Sequence, residues 1–257
     1  MCILRPNSLV YNTSCIVVVV PRPLPHLETL TVTTAWPLKN YVGINSQTEE
    51  EVMEVLDTAL ECGYRHFDTA YAYRNEAAIG RSLKKWTSQG KVKREDLFIT
   101  TKLSPDHNRE ADVAMSLQKS LANLGLSYVD LYLVHFPIGI TGFVLILLVC
   151  KVKPAVLQVE ANAYFQERPL RTFCQENNIA LCAYSPLGSP YKHSGYYEVH
   201  TSVLNDPVVE EVAARLHKTP AQVLLRFLHQ LDIIPITKSA SRTHQLENIQ
   251  VTNASGN

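Results

Sequence analysis

The chain has 257 residues, 46% hydrophobic and 19% charged, a composition typical of a folded globular protein that excludes disordered, collagen-like and coiled-coil classes. Basic and acidic residues both number 24, so the formal net charge is zero. Proteins that bind nucleic acid through its phosphates normally carry a basic excess, so we expect no nucleic-acid partner.

The cysteines and the apolar runs indicate a reducing compartment and no membrane segment. The six cysteines form no C-x-x-C pair, and a chain of this length needs no disulfide to be stable. The apolar run 15–20 has six residues and the run 138–150 has thirteen, whereas a membrane-spanning helix needs about 20. We therefore expect a cytoplasmic protein without a membrane or metal partner.

Secondary structure is predicted in three parts along the chain. The first 28 residues contain four prolines and predict an irregular N-terminal segment, and residues 253–257 form a tail. Between them, residues 29–252 form one domain. Its predicted strands cover 29–34, 64–68, 97–101, 130–135, 155–160, 179–184 and 233–236. The first predicted helix begins at a capping box, Ser46–Glu49, and ends before Gly63. The other predicted helices cover 76–86, 109–124, 170–177, 207–216, 220–228 and 241–249.

The alternation of strands and helices predicts the fold class. It is typical of a mostly parallel sheet covered by helices, which at this length is a doubly wound sheet or a (β/α)8 barrel. The chain contains neither G-x-G-x-x-G nor G-x-x-x-x-G-K-[ST], so the phosphate loop typical of doubly wound nucleotide folds is absent. We therefore predict an α/β protein with a TIM-type barrel.

Three consecutive predicted strands each end at an ionisable residue. These residues are Asp68, Lys102 and His135, and Tyr73 follows five residues after Asp68. Taken singly, each has an ordinary explanation as a helix cap, a solvated lysine or a buried core histidine. In a barrel, however, the carboxyl ends of the strands surround one mouth, so the shared position favours a single site.

These four side chains suit the protonation of an alkoxide as it forms from a carbonyl group. A phenol has a pKa of about 10, too high for an efficient acid at neutral pH. A neighbouring lysine favours the phenolate, and an aspartate keeps that lysine charged. A histidine can donate a hydrogen bond to a carbonyl oxygen. Since the set lacks a nucleophile and a metal cluster, a cofactor must supply the hydride.

Several segments that contain these residues resemble the aldo-keto reductase superfamily. They extend from about Trp36 to Val251 and comprise YRHFDTA at 64–70 with Tyr73 and Asn75-Glu76, TKL at 101–103, LYLVHFP at 131–137, PAVLQVE at 154–160, AYSPLG at 183–188 and IPITKS at 234–239. The resemblance implies NADPH-dependent reduction of aldehydes or ketones to alcohols. It implies that Asp68, Tyr73, Lys102 and His135 are the catalytic residues, with Tyr73 as the proton donor.

The resemblance also implies a cofactor site, a small carbonyl substrate and a monomer. Gln158 matches a residue that binds the nicotinamide carboxamide, and Tyr184 the aromatic ring on which the nicotinamide stacks. Trp36 matches the aromatic wall of the substrate pocket. The other matches are Ser185, Leu187 and Ser189 for the pyrophosphate, Lys238 and Ser239 for the 2′-phosphate, and Glu247 and Asn248 for the adenine.

The chain departs from the family most between His135 and Gln158. Only 22 residues separate them, where a family member would place a helix, a strand and another helix. We therefore expect an incomplete barrel that lacks about one strand and two helices after His135, and the C-terminal substrate loop as well. Residues 138–150 could form a strand, but not a parallel neighbour of the preceding one, because a parallel crossover needs a dozen or more residues.

Further departures leave alternatives open. His244 stands where the family has an arginine at the 2′-phosphate, with Arg242 close by, so preference for NADP over NAD is not decided. A catalytically inactive truncated barrel that binds nucleotide or has a structural role is the alternative to a reductase. An unrelated phosphate-handling TIM barrel would explain the strand pattern but not the four polar residues.

Overall fold

Helices and strands alternate along most of the chain. The computed structural model describes residues 48–107, 110–135, 153–188 and 202–251, with the backbone alone for residues 15–17, 31–33 and 110. The strands are β1 (Cys15–Val17), β2 (Thr31–Thr33), β3 (His66–Asp68), β4 (Phe98–Leu103), β5 (Leu131–Val134), β6 (Val156–Glu160), β7 (Ala180–Tyr184) and β8 (Ile233–Thr237). The helices are α1 (Glu49–Glu61), α2 (Glu76–Ser88), α3 (Glu110–Leu124), α4 (Arg168–Glu176), α5 (Pro207–Leu216), α6 (Pro220–Gln230) and α7 (Arg242–Ile249).

The eight strands form a closed barrel, which confirms the predicted fold class. Their order around the barrel is β1-β5-β4-β3-β2-β8-β7-β6. All pairs from β5 through β4, β3, β2, β8 and β7 to β6 are parallel. Because parallel strands end on the same side, the carboxyl ends of these seven strands surround one mouth.

The predicted gap in the barrel is filled by the N-terminal segment. Residues Cys15–Val17, predicted to be irregular, form β1 and pair antiparallel with both β5 and β6. Ile16 is paired with Val134 on one side and with Leu157 on the other. The predicted incompleteness of the sheet is therefore not confirmed, because β1 provides partners for the backbone groups that β5 and β6 would otherwise leave unpaired.

Some predicted features lie outside the described residues. They are Trp36, Ser189, the tail at 253–257, and residues 138–150 together with the place of the two missing helices. The start of α1 is described and corrects one prediction. Thr48, not Ser46, caps this helix: Glu51 N donates to Thr48 Oγ1 at 3.2 Å, and Thr48 N donates to Glu51 Oε2 at 3.0 Å.

The apolar core has layers inside and outside the barrel. Inside, side chains from four strands pack together: Leu131, Leu133, Val156, Cys182 and Ile236. Outside, β3, β4 and β5 are covered by α1, α2 and α3, and β6, β7 and β8 by α4 and α6. Alternation along each strand therefore sends one set of side chains to the helices and the other into the barrel.

Two contacts fix α2 against its neighbours. A Cβ atom at Gly80 would lie 2.4 Å from the carbonyl oxygen of Leu124, so only glycine permits this approach to α3. On the other side, the Asp57 carboxylate of α1 accepts hydrogen bonds from Ser82, Lys85 and Trp86 of α2 at 2.8, 2.6 and 2.8 Å. Burial would raise the pKa of Asp57, but these hydrogen bonds outweigh it and lower the pKa.

Candidate active site

Three strands deliver the predicted ionisable residues to the barrel mouth. Asp68 ends β3, Lys102 is the fifth residue of β4, and His135 directly follows β5. All three are buried, with 2%, 1% and 4% of their surface exposed. Tyr73 ends a short 3₁₀ turn, Tyr71–Tyr73, after which Arg74 adopts a left-handed conformation with φ 57°.

The Lys102 ammonium is the centre of the site. It donates to Asp68 Oδ1, to the Thr69 carbonyl oxygen at 2.9 Å and to the Tyr73 hydroxyl at 3.4 Å. An ammonium group has three N–H donors, so these contacts account for all of them. The phenol therefore lies beside a buried cation that favours its phenolate form, which is the electrostatic condition expected of an acid-catalytic tyrosine.

His135 lies on the other side of the Tyr73 ring. The two rings are nearly perpendicular, at 89°, and their centroids are 5.5 Å apart. Burial lowers the pKa of His135 to about 3; the Lys102 ammonium also lowers it, and Asp68 opposes the shift. The imidazole is therefore neutral at neutral pH, with one N–H donor and one acceptor nitrogen.

The predicted nicotinamide residues lie on the next strands of the barrel. Gln158 is on β6 and its Nε2 donates to Asp68 Oδ2 at 3.0 Å, so it contacts the predicted catalytic residues directly. Tyr184 ends β7 and is paired with Glu160 of β6, which lies two residues after Gln158. Ser185 follows with φ 50°, and Leu187 packs partly buried against the core.

The predicted phosphate and adenine residues form a separate group after β8. Lys238 is exposed and Ser239 half-buried; the Ser239 carbonyl accepts a hydrogen bond from Gln245 Nε2 at 2.8 Å. Glu247 is half-buried and Asn248 buried, both on α7. Exposed Arg242 begins α7, so two cations and a helix N-terminus lie close together in the chain, a donor set that fits a phosphate group.

Several polar contacts around the site were not predicted from the sequence. Thr69 Oγ1 donates to Asn75 Oδ1 at 2.7 Å, which closes the loop that carries Tyr73. Glu76 accepts from Thr101 Oγ1 at 2.7 Å and from Asn123 Nδ2 at 3.0 Å. Asn75-Glu76 is part of the matching motif, but a motif gives no contacts. These hydrogen bonds anchor the Tyr73 loop to β4 and α3.

A buried polar pair lies one step further into the barrel. His66 precedes Asp68 by two residues and Thr100 precedes Lys102 by two, so alternation places them on the same inner face. His66 Nε2 and Thr100 Oγ1 are hydrogen-bonded at 3.1 Å. Burial lowers the pKa of His66 to about 4. This strand alternation was the signal that could have identified the pair.

Comparison with known proteins assigns the chain to a family. A model of the Aldo/keto reductase family matches residues 33–151 and 138–255. The chain belongs to this family. Aldo-keto reductase family 1 member A1 of Gallus gallus is 34% identical over 264 residues, covering 82% of this chain and 80% of that protein. The 9,11-endoperoxide prostaglandin H2 reductase of Trypanosoma cruzi is also 34% identical, covering 80% and 78%.

Solved aldo-keto reductases share the fold. The Bombyx mori enzyme in complex with NADP has a TM-score of 0.77 at 29% identity, with 87% of this chain and 83% of that one covered. A second, complexed with NADPH, has a TM-score of 0.76 at 30% identity, with 87% and 79% covered. The family resemblance is thus confirmed, and with it the classification of this aldo-keto reductase as an oxidoreductase. Within the described ranges, no helix is long and apolar enough to cross a membrane.

Proposed function

We propose that this aldo-keto reductase reduces aldehydes or ketones to alcohols, with NADPH as hydride donor and Tyr73 as proton donor. One observation carries the proposal: the Lys102 ammonium contacts the Asp68 carboxylate, the Thr69 carbonyl and the Tyr73 hydroxyl together. The complexes of the Bombyx mori enzyme with NADP and of its relative with NADPH support the choice of cofactor.

The side chains divide the proton chemistry between them. The centroids of the Tyr73 and His135 rings are 5.5 Å apart, so a substrate carbonyl oxygen bound between them would accept a hydrogen bond from the neutral imidazole, which would orient it. NADPH, when bound, supplies the hydride to the carbonyl carbon. Tyr73 gives its proton to the oxygen, and the resulting phenolate is stabilised by the Lys102 ammonium, which Asp68 holds in place.

The cofactor residues are assigned by the family resemblance. Gln158 and Tyr184 would hold the nicotinamide, and Lys238 with Ser239 the 2′-phosphate. The pyrophosphate would be bound by Ser185, Leu187 and Ser189, and the adenine by Glu247 and Asn248. Arg242 provides a second exposed cation two residues before His244, which favours NADP over NAD. The substrate is a small carbonyl compound bounded by Trp36, and the protein is a cytoplasmic monomer.

The decisive experiment follows NADPH oxidation by absorbance with a panel of aromatic and aliphatic aldehydes. We expect Tyr73→Phe to lower kcat by about 10²–10⁴-fold, because it removes only the hydroxyl group that donates the proton. NADPH should still quench tryptophan fluorescence in this variant. Tyr71→Phe, in the same turn, is the matched control and should keep its activity.

Two results would contradict the proposal. Equal turnover by the wild type and Tyr73→Phe would reject Tyr73 as the acid. Quenching by NADPH without any turnover in the wild type would favour the alternative, a barrel that binds nucleotide but does not catalyse.

A further inference from the structure

Gln158 and Asp68 are in contact across the interior of the barrel. Asp68 lies on β3 and Gln158 on β6, and in the closed order these strands are four steps apart in either direction. Both side chains are buried, and Gln158 Nε2 lies 3.0 Å from Asp68 Oδ2. The hydrogen bond therefore links opposite walls of the barrel directly beneath its mouth.

We propose that Gln158 is a positioning residue: its side-chain amide fixes the Asp68 carboxylate and, through it, the Lys102 ammonium beside Tyr73. This inference rests on the proposed function. Positioning would be a second role of Gln158, in addition to the proposed contact with the nicotinamide, because its hydrogen bond to Asp68 forms within the protein and needs no cofactor.

The two oxygens of Asp68 are held from different directions. Oδ1 accepts from Lys102 and Oδ2 accepts from Gln158. The terminal torsion of an aspartate is broad and roughly two-fold, so one partner alone leaves the carboxylate free to rotate. Two donors on two oxygens define its plane. Gln158 thus determines where Asp68 presents Oδ1 to Lys102.

The contact that carries the chemistry is the one most sensitive to this positioning. Lys102 Nζ lies 2.9 Å from the Thr69 carbonyl oxygen but 3.4 Å from the Tyr73 hydroxyl. At 3.4 Å the distance is already near the limit of a hydrogen bond, so a small displacement of Lys102 toward Asp68 breaks it. Loss of the Gln158 bond should therefore reduce the rate of proton transfer.

The two roles of Gln158 predict different kinetics. A primary amide has two N–H donors and a carbonyl acceptor, and Asp68 takes one donor, which leaves the others for a cofactor. A residue that only binds cofactor affects the affinity for NADPH, whereas a positioning residue affects the chemical step at saturating NADPH. The effect of a positioning residue also disappears when the residue it positions is removed.

A double-mutant cycle of Gln158→Met and Asp68→Ala tests the inference. We expect Gln158→Met to lower the single-turnover rate of NADPH oxidation at saturating NADPH about tenfold, the effect of losing one hydrogen bond to a charged group. In the Asp68→Ala background the same change should have no further effect. Gln158→Asn, which keeps the amide but is too short to span the barrel, should behave like Gln158→Met.

Thermal melts without NADPH provide a readout independent of activity. The changes in Tm caused by Gln158→Met and Asp68→Ala should be non-additive by about 2–4 °C. Gln222→Met, a buried glutamine on α6 that donates to the Glu247 carbonyl, is the matched control and should be additive with Asp68→Ala.

The outcomes separate this inference from the proposed function. A wild-type chain without turnover rejects the proposed function and the positioning role with it. A wild type that turns over, with equal rate losses in both backgrounds or an effect on NADPH affinity alone, rejects the positioning role and leaves the reductase intact. Non-additive melts with additive rates also reject it, because the bond would then stabilise the fold without affecting the reaction.

Discussion

Two histidines inside the barrel should make the protein acid-sensitive. Burial, together with the Lys102 ammonium and against the attraction of Asp68, lowers the pKa of His66 to about 4 and of His135 to about 3. In an unfolded chain a histidine has a pKa of about 6.5. At about pH 5 both side chains are therefore neutral in the folded protein and charged in the unfolded chain.

The magnitude follows from proton linkage. Where the unfolded chain binds more protons than the folded protein, the free energy of unfolding falls as the pH falls. About 1.5 pH units below the unfolded pKa, each histidine that stays neutral in the folded protein lowers the free energy of unfolding by about 2 kcal/mol. The pair therefore lowers it by about 4 kcal/mol between about pH 7.5 and 5. A typical domain has only about 5–15 kcal/mol of stability, so the loss is measurable.

Urea unfolding of the cofactor-free protein at about pH 7.5 and 5 measures this loss. His66→Gln keeps a hydrogen-bonding group near Thr100 but removes the titrating imidazole. The difference in the free energy of unfolding between the two pH values should therefore shrink by about 2 kcal/mol. The matched control is His244→Gln, which alters an exposed histidine at the start of α7 and should leave the dependence as in the wild type. An unchanged pH dependence in His66→Gln would refute the linkage argument.

Two other substitutions test the packing and the cofactor site. Gly80→Ala should lower the free energy of unfolding by about 1–3 kcal/mol, because the new Cβ would meet the Leu124 and Asn123 carbonyl oxygens at 2.4 and 2.9 Å; wild-type stability in urea would contradict the close packing. Lys238→Ala should weaken binding of NADPH more than of NADH in fluorescence titrations, since only NADPH carries the 2′-phosphate; equal weakening would remove Lys238 from that site.

The grouping of Asp68, Lys102 and His135 could be predicted because it depends on neighbours in the chain. Strands that follow one another through a helix pair side by side, so β3, β4 and β5 are adjacent, and their last residues meet. The five-residue spacing then keeps Tyr73 in the loop above them. Local patterns are sufficient here because each step, from β3 to β4 and from β4 to β5, is a single βαβ unit.

The position of β1 could not be predicted in the same way. Three residues are too few to show a periodicity, and Ile16 pairs with β5 and β6, both more than a hundred residues away. The sequence indicates a replacement strand only at residues 138–150, between His135 and Gln158. Antiparallel pairing needs no crossover there, so any strand-forming segment of the chain can fill the gap.

The predicted cap of α1 was wrong, and the hydrogen bond from Gln158 to Asp68 was not predicted, for different reasons. Ser46-x-x-Glu49 and Thr48-x-x-Glu51 fit the same pattern, and only the hydrogen bonds of Thr48 distinguish them. The bond from Gln158 to Asp68 requires the number of strands and their order around the barrel. Neither quantity follows from a pattern within one element. The sequence could therefore predict a cofactor contact for Gln158 but not its hydrogen bond to Asp68.

Closure of the barrel connects these observations to the site. β1 lies between β5, which leads into His135, and β6, which carries Gln158, whereas Asp68 and Lys102 lie on β3 and β4, which pair only with parallel strands. The ion pair is thus built on the all-parallel part of the sheet, and the two groups proposed to meet the substrate oxygen and the nicotinamide flank the strand from the N-terminal segment. The hydrogen bond from Gln158 to Asp68 spans the barrel between these two parts, which is why we assign it a role in positioning.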